Sequence, residues 1–139
     1  MYSAALSAID GKSSRTFAYT FGDTSVLYTI LVSRIKGLFT RVRGLNKDFG
    51  DFEGDLDIYH LNTHSMASHD ATNMKALENQ AIADGCLLVF LFDGIGGDHH
   101  LKVEKEDHDE LVRYIKQKES QLWVSPLAKI AAFIDASKH

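Results

Sequence analysis

A chain of 139 residues is long enough for one domain with a buried core and too short for two. Its 45% hydrophobic and 24% charged content is ordinary for a globular protein, and a formal net charge of −4 gives no reason to expect nucleic acid or an anionic membrane as a partner. A single cysteine, Cys86, excludes an intramolecular disulfide, and one proline with no low-complexity tract argues against disorder. No apolar run reaches the ~20 residues of a membrane helix. Residues 1–12 lack the basic and long apolar regions of a signal peptide, so the chain as it stands reads as cytoplasmic.

Met1–Asp10 reads as the tail of a helix, with Gly11 suited to its C-terminal cap. Arg15–Thr20 alternates well enough for a strand, and Phe21-Gly22-Asp23 breaks it. Thr24–Lys36 is rich in β-branched residues, but Val26, Ile30 and the Leu27/Leu31 pair have helical spacing. The spacing predicts a helix there, stopped by Gly37. Leu38–Arg43 reads as a short strand, Gly44–Asp57 as an acidic, glycine-bearing loop, and Ile58–Leu61 as another short strand. Asn62–His69 is polar and histidine-bearing. Asp70 then caps a helix to Asp84, with Met74, Leu77 and Ala81 on one face and Gly85 as its stop.

The seven apolar residues Cys86–Phe92 run without a break and end at Asp93 and a glycine-rich loop, Asp93–His100. An unbroken run this short predicts a strand buried on both faces, as in a parallel sheet. Asp93 would sit at that strand's carboxyl end, the edge where parallel α/β folds place their chemistry. Asp107-His108-Asp109-Glu110 resembles a capping box opening a helix whose apolar face is Leu111, Tyr114 and Ile115. Gln121–Val124 reads as a strand. Ser125-Pro126 then starts a helix through Leu127, Ile130, Ala131 and Ile134. One helix followed by four βα units predicts a single α/β domain over residues 1–139, built as an open parallel sheet or about half of a closed barrel.

Three constellations invite chemistry. Gly94-Ile95-Gly96-Gly97 follows a strand, but the third glycine of a dinucleotide fingerprint would fall at His99, so a turn is the simpler reading. His64, His69, Asp93, Asp98, His99 and His100 could supply metal ligands, or could be solvated loop residues. Against ligation, His64 and His69 are five apart, and the adjacent His99 and His100 cannot easily face one ion. Arg34, Lys36, Arg41, Arg43 and Lys47 form a basic cluster that could bind phosphate or RNA, although neutralisation by the acidic loop that follows it is the simpler reading.

Two stretches carry a family resemblance. Arg15-Thr16-Phe17-Ala18-Tyr19-Thr20-Phe21-Gly22 resembles the third conserved motif of the NodB-homology polysaccharide deacetylases, Arg-x-Phe-x-Tyr-Pro-x-Gly, with Thr20 in the proline's place. Leu87–Gly97 is similar to that family's last motif, a hydrophobic strand ending in His-Gly, with Asp93 in place of the histidine. Leu111–Ile134, including Leu122-Trp123-Val124, resembles the family's C-terminal end.

The resemblance implies the C-terminal half of an irregular (β/α) barrel. In that family a divalent metal, commonly zinc, is held by one aspartate and two histidines, and it polarises an acetyl carbonyl and a water. A second aspartate acts as base. Those acids and the paired histidines precede the arginine motif, whereas only fourteen residues precede Arg15 here, and His64 and His69 follow it. Arg15 would orient the base, and Asp93 would stand where the family has its general acid, although an ordinary aspartate donates protons poorly at neutral pH. Tyr19, Thr20, Phe21, Gly22 and Trp123 would meet the sugar, with His64, His69, His99 and His100 as the remaining candidate metal ligands.

The implied function is hydrolysis of N- or O-acetyl groups on carbohydrate, weak or absent in this chain alone. The alternative is a non-catalytic remnant that binds carbohydrate or associates with itself through uncovered sheet edges, and so forms a homo-oligomer. An unrelated open-sheet domain is the third reading.

Overall fold

A computed structural model describes residues 2–12, 15–19, 25–26, 29–30, 41–43 and 61–137. In chain order the elements are α1 (Tyr2–Asp10), β1 (Thr16–Ala18), β2 (Ser25–Val26), β3 (Thr29–Ile30), β4 (Arg41–Arg43), β5 (His64–Ser65), α2 (Ala71–Asp84), β6 (Phe90–Leu91), β7 (Gly94–Ile95), β8 (Lys102–Val103), α3 (Lys105–Gln117) and α4 (Leu127–Ser137). The fold is therefore mixed α/β, with short strands that pair in twos among the described residues. The chain divides into two compact units, one of residues 1–44, 57–61 and 125–139, the other of residues 45–56 and 62–124.

In the first unit α1 ends where expected, because Gly11 takes a left-handed φ of 69° and its N–H bonds to the Ser7 carbonyl at 2.9 Å. Strands β1 and β4 pair in parallel, with Phe17 opposite Val42. Strands β2 and β3 pair antiparallel, with Val26 opposite Thr29. This corrects the helix expected over Thr24–Lys36 at its first residues: β-branched Val26, Thr29 and Ile30 favour extended backbone, and that preference outweighs the helical spacing. The acidic loop and the residues after Ile30 that the helix would have included lie outside the described residues. In α4, Pro126 offers its carbonyl to Lys129 N–H at 2.8 Å, and Ala131 and Ile134 are buried as their spacing requires.

The second unit is built on a βαβ crossover. Strands β5 and β6 run parallel with α2 between them, His64 opposite Phe90 and Ser65 opposite Leu91. Strand β5 was not expected in the polar segment Asn62–His69. The start and stop of α2 follow from local chemistry. Asp70 accepts Asn73 N–H at 2.8 Å, and Gly85 adopts a φ of 62°. Met66, Met74, Val103 and Leu111 form its fully buried core, with Leu77, Phe90, Phe92 and Ile115 against it.

Two expectations change here. The run Cys86–Phe92 is half-buried throughout rather than buried on both faces, because β6 has one partner strand among the described residues. Gln121–Val124 is not a strand: Gln121 N–H turns back onto the Lys118 carbonyl at 2.8 Å, and Trp123 and Val124 are exposed. Strands β7 and β8 run parallel across the short connection 96–101, which Gly96 and Gly97 permit with φ of 66° and 75°. Helix α3 starts two residues before Asp107, at Lys105. Among the described residues, no helix is long and apolar enough to cross a membrane.

Candidate functional site

The amino ends of α2 and α3 meet the β7–β8 connection in the second unit, and between them lies a groove of roughly 520 Å³. Its walls come from Ser68, His69 and Asp70 ahead of α2, from Asp98, His99 and His100 in the connection, from Lys102 in β8, and from Glu104 and Asp107 at the start of α3. Two of the carboxylates have structural work. Asp70 caps its own helix, and Asp107 accepts the Ala71 N–H at 3.0 Å, across a sequence separation of 36. Helix α2 is thus capped partly by α3, which satisfies a first-turn donor that has no partner within its own helix. Lys102 pairs with Glu104 at 3.1 Å. Ser68 holds a left-handed φ of 59°, unusual for a residue with a Cβ, and its N–H bonds to the Lys102 carbonyl at 3.2 Å.

The histidines have assignable tautomers when neutral. His69 Nδ1 lies 3.0 Å from the Ala67 carbonyl, so Nδ1 carries the proton and Nε2 keeps a lone pair. His99 Nδ1 accepts Leu101 N–H at 3.2 Å, so its proton sits on Nε2 and the ring presents a donor. The His99 and His100 rings stack with centroids 4.9 Å apart. Stacked neighbours do not converge on one ion, and His99 would have to break its backbone hydrogen bond to ligate. Among the described residues, no three of His, Cys, Asp and Glu are placed to hold a metal.

The other candidates are scattered. Asp93 is exposed, two residues past the end of β6, and does not line the groove. Next to it, Gly94 packs close to His99, where an added Cβ would meet the His99 Cβ at 3.7 Å. His64 is 8% exposed within β5 and lies outside the groove lining. Trp123 is 53% exposed and lies outside the groove lining. In the first unit, Arg15 grips both oxygens of Asp10, at 2.5 and 3.1 Å, and this pairing holds the Asp10 carboxyl down at a pKa of about 2. Tyr19 is 4% exposed and meets Phe17 edge-on at 6.0 Å, a core position rather than a sugar platform. Thr20, Phe21 and Gly22 lie outside the described residues.

Sequence reasoning placed His69, Asp98, His99 and His100 among its candidates, and the groove brings these together. It missed Ser68, Lys102 and Glu104, and read Asp70 and Asp107 as caps alone. The available signal was a pair of capping acids opening two successive helices after short strands. No family model matches the chain, and neither a curated protein nor a solved structure matches it.

Proposed function

We propose that this chain is a polysaccharide-deacetylase-like domain, corresponding to the C-terminal part of that family's irregular (β/α) barrel, and that it takes acetylated carbohydrate as its ligand. The observation that carries the reading is the order and placement of the two motifs. Arg15–Gly22 opens on β1, and Leu87–Gly97 runs through β6 to Asp93 at the strand's carboxyl end. Parallel pairing of β1 with β4 and of β5 with β6 is the pairing that a βα barrel uses, which supports the same reading.

The groove suits a ligand whose hydroxyls both donate and accept. His69 Nε2 offers a lone pair and His99 Nε2–H a donor, with Asp98 and Lys102 in the same walls. The Arg15 contact that the family gives to a base aspartate is made with Asp10. A carboxyl with a pKa of about 2 is a weak proton acceptor, so this pair orders the turn after α1 rather than taking a proton from water. The second reading, carbohydrate binding without hydrolysis, is favoured by the His99 tautomer, which opposes a metal in the groove.

Acetate release from acetylated chito-oligosaccharides, with and without zinc or cobalt, tests the reading on the 139-residue chain. Chemical-shift perturbation is recorded on the same samples. Metal-dependent turnover, stopped by a chelator and lost in Asp93→Ala, establishes the hydrolase. Perturbation at His69 and His99 without turnover establishes the binding module. Neither turnover nor perturbation overturns both.

A further inference from the structure

Glu78 is the one charged residue on the buried stripe of α2, which otherwise holds Ala71, Met74 and Ala81. It is 4% exposed, and neither carboxyl oxygen has a hydrogen-bond partner among the described residues. A carboxylate buried without a partner is strongly disfavoured. Helix α3 packs against α2, and of its charged groups Lys118, at its carboxyl end, is the one whose field reaches Glu78. Glu110 of α3 is held instead by Lys75 of α2, and Arg113 acts on Glu110.

Lys118 has a second attractor. Its Nζ lies 5.6 Å from the centre of the Tyr114 ring, and Lys75 Nζ lies 5.5 Å from the same centre. The Tyr114 hydroxyl donates to Asn79, the neighbour of Glu78, at 2.8 Å. The Lys118 ammonium therefore rests on the ring that binds Asn79, level with residues 78 and 79 of α2, and it is the α3 cation whose field reaches the buried Glu78 carboxyl. We propose that Glu78, Lys118 and Tyr114 form a pH-operated latch between α2 and α3: Lys118 rests on the Tyr114 ring while the Glu78 carboxyl is neutral, and it turns to the carboxylate when that proton leaves.

The step transfers one proton from Glu78 to water, breaks one cation–π contact and forms one ion pair. Burial raises the proton affinity of Glu78, which moves the switch upward from the ordinary glutamate range, and Lys118 partly opposes it. The same two helices frame the groove at their amino ends, so the latch acts on the pair behind it. The proposal is independent of the carbohydrate reading.

Carbon-detected NMR on the 139-residue chain, from about pH 3 to about pH 8, follows the Glu78 carboxyl and the Tyr114 ring together. The expected result is one shared midpoint above the ordinary glutamate value of about 4.3. Glu78→Gln should abolish the Tyr114 inflection. Lys118→Met should raise the Glu78 midpoint and flatten the Tyr114 response. A Glu78 midpoint at or below the ordinary value overturns the latch, as does a Tyr114 inflection that survives in Glu78→Gln. Where Glu78→Gln fails to fold, the shared midpoint in the unmodified chain and the Lys118→Met response decide.

Discussion

Gly85 ends α2 in the left-handed region with a φ of 62°, and nothing crowds the space where a Cβ would be. Gly85→Ala therefore tests backbone conformation alone, and it should destabilise the chain by about 1 kcal/mol in urea denaturation. Glu78 gives a different signature. Its folded proton affinity is raised, so its contribution to stability is present below the ordinary glutamate value and is lost as pH rises through the folded value. Glu78→Gln should then melt higher than the unmodified chain at about pH 8, with the gap closing toward about pH 4. The Asp10–Arg15 pair has the opposite sign. Asp10 is lowered from 3.8 to about 2, so its contribution is present above 3.8 and is lost as pH falls through about 2. Arg15→Gln should remove that acid-range dependence of the melting temperature. At this scale the sequence was readable where the chemistry is local. Asp70 and Gly85 act on donors and carbonyls within four residues, whereas the core spacing of Glu78 gave no sign that neither of its oxygens would have a hydrogen-bond partner among the described residues.

Among elements, the α2–α3 pair holds the second unit together, and Leu111 is its best-buried aliphatic, at 1% exposure. Leu111→Ala should cost about 2–5 kcal/mol by chemical denaturation, the range for truncating a buried leucine in a close-packed core. Periodicity revealed both helices, because their apolar stripes are long enough to average over single residues. It failed for β2 and β3, where two-residue strands are too short to show a period and β-branching is the better guide. It overreached for Cys86–Phe92, since hydrophobicity along the chain cannot say how many neighbouring strands a segment will have. It missed β5 because His64 and Ser65 are polar, and their pairing depends on β6, some 25 residues on.

For the whole molecule, the α/β class was legible from the alternation of helical and apolar segments, and the division into two compact units was not. The units exchange the chain at residues 44–62 and near 125, where the acidic loop Gly44–Asp57 and Ser125-Pro126 read as a loop and a helix start within one domain. Among the described residues the strands pair only in twos. We propose self-association through sheet edges, and light scattering at low micromolar concentration should give a mass above that of one 15.5 kDa chain. A monomer under those conditions would refute it. The groove could not be read from the sequence as a unit, because its walls come from three segments that only the βαβ crossover and the turn at Gly96-Gly97 assemble.

The hydrogen bond from Ala71 N–H to Asp107 ties the start of one helix to the start of another 36 positions away. Its consequence is cooperative. The first turn of α2 cannot keep that bond once the amino end of α3 opens, so the two helix starts should open as one event rather than fray separately. In native-state amide exchange, Ala71 should share the opening free energy of the first turn of α3. In Asp107→Ala, Ala71 should exchange at the rate of an unprotected helix end, while amides near Ala81 stay slow.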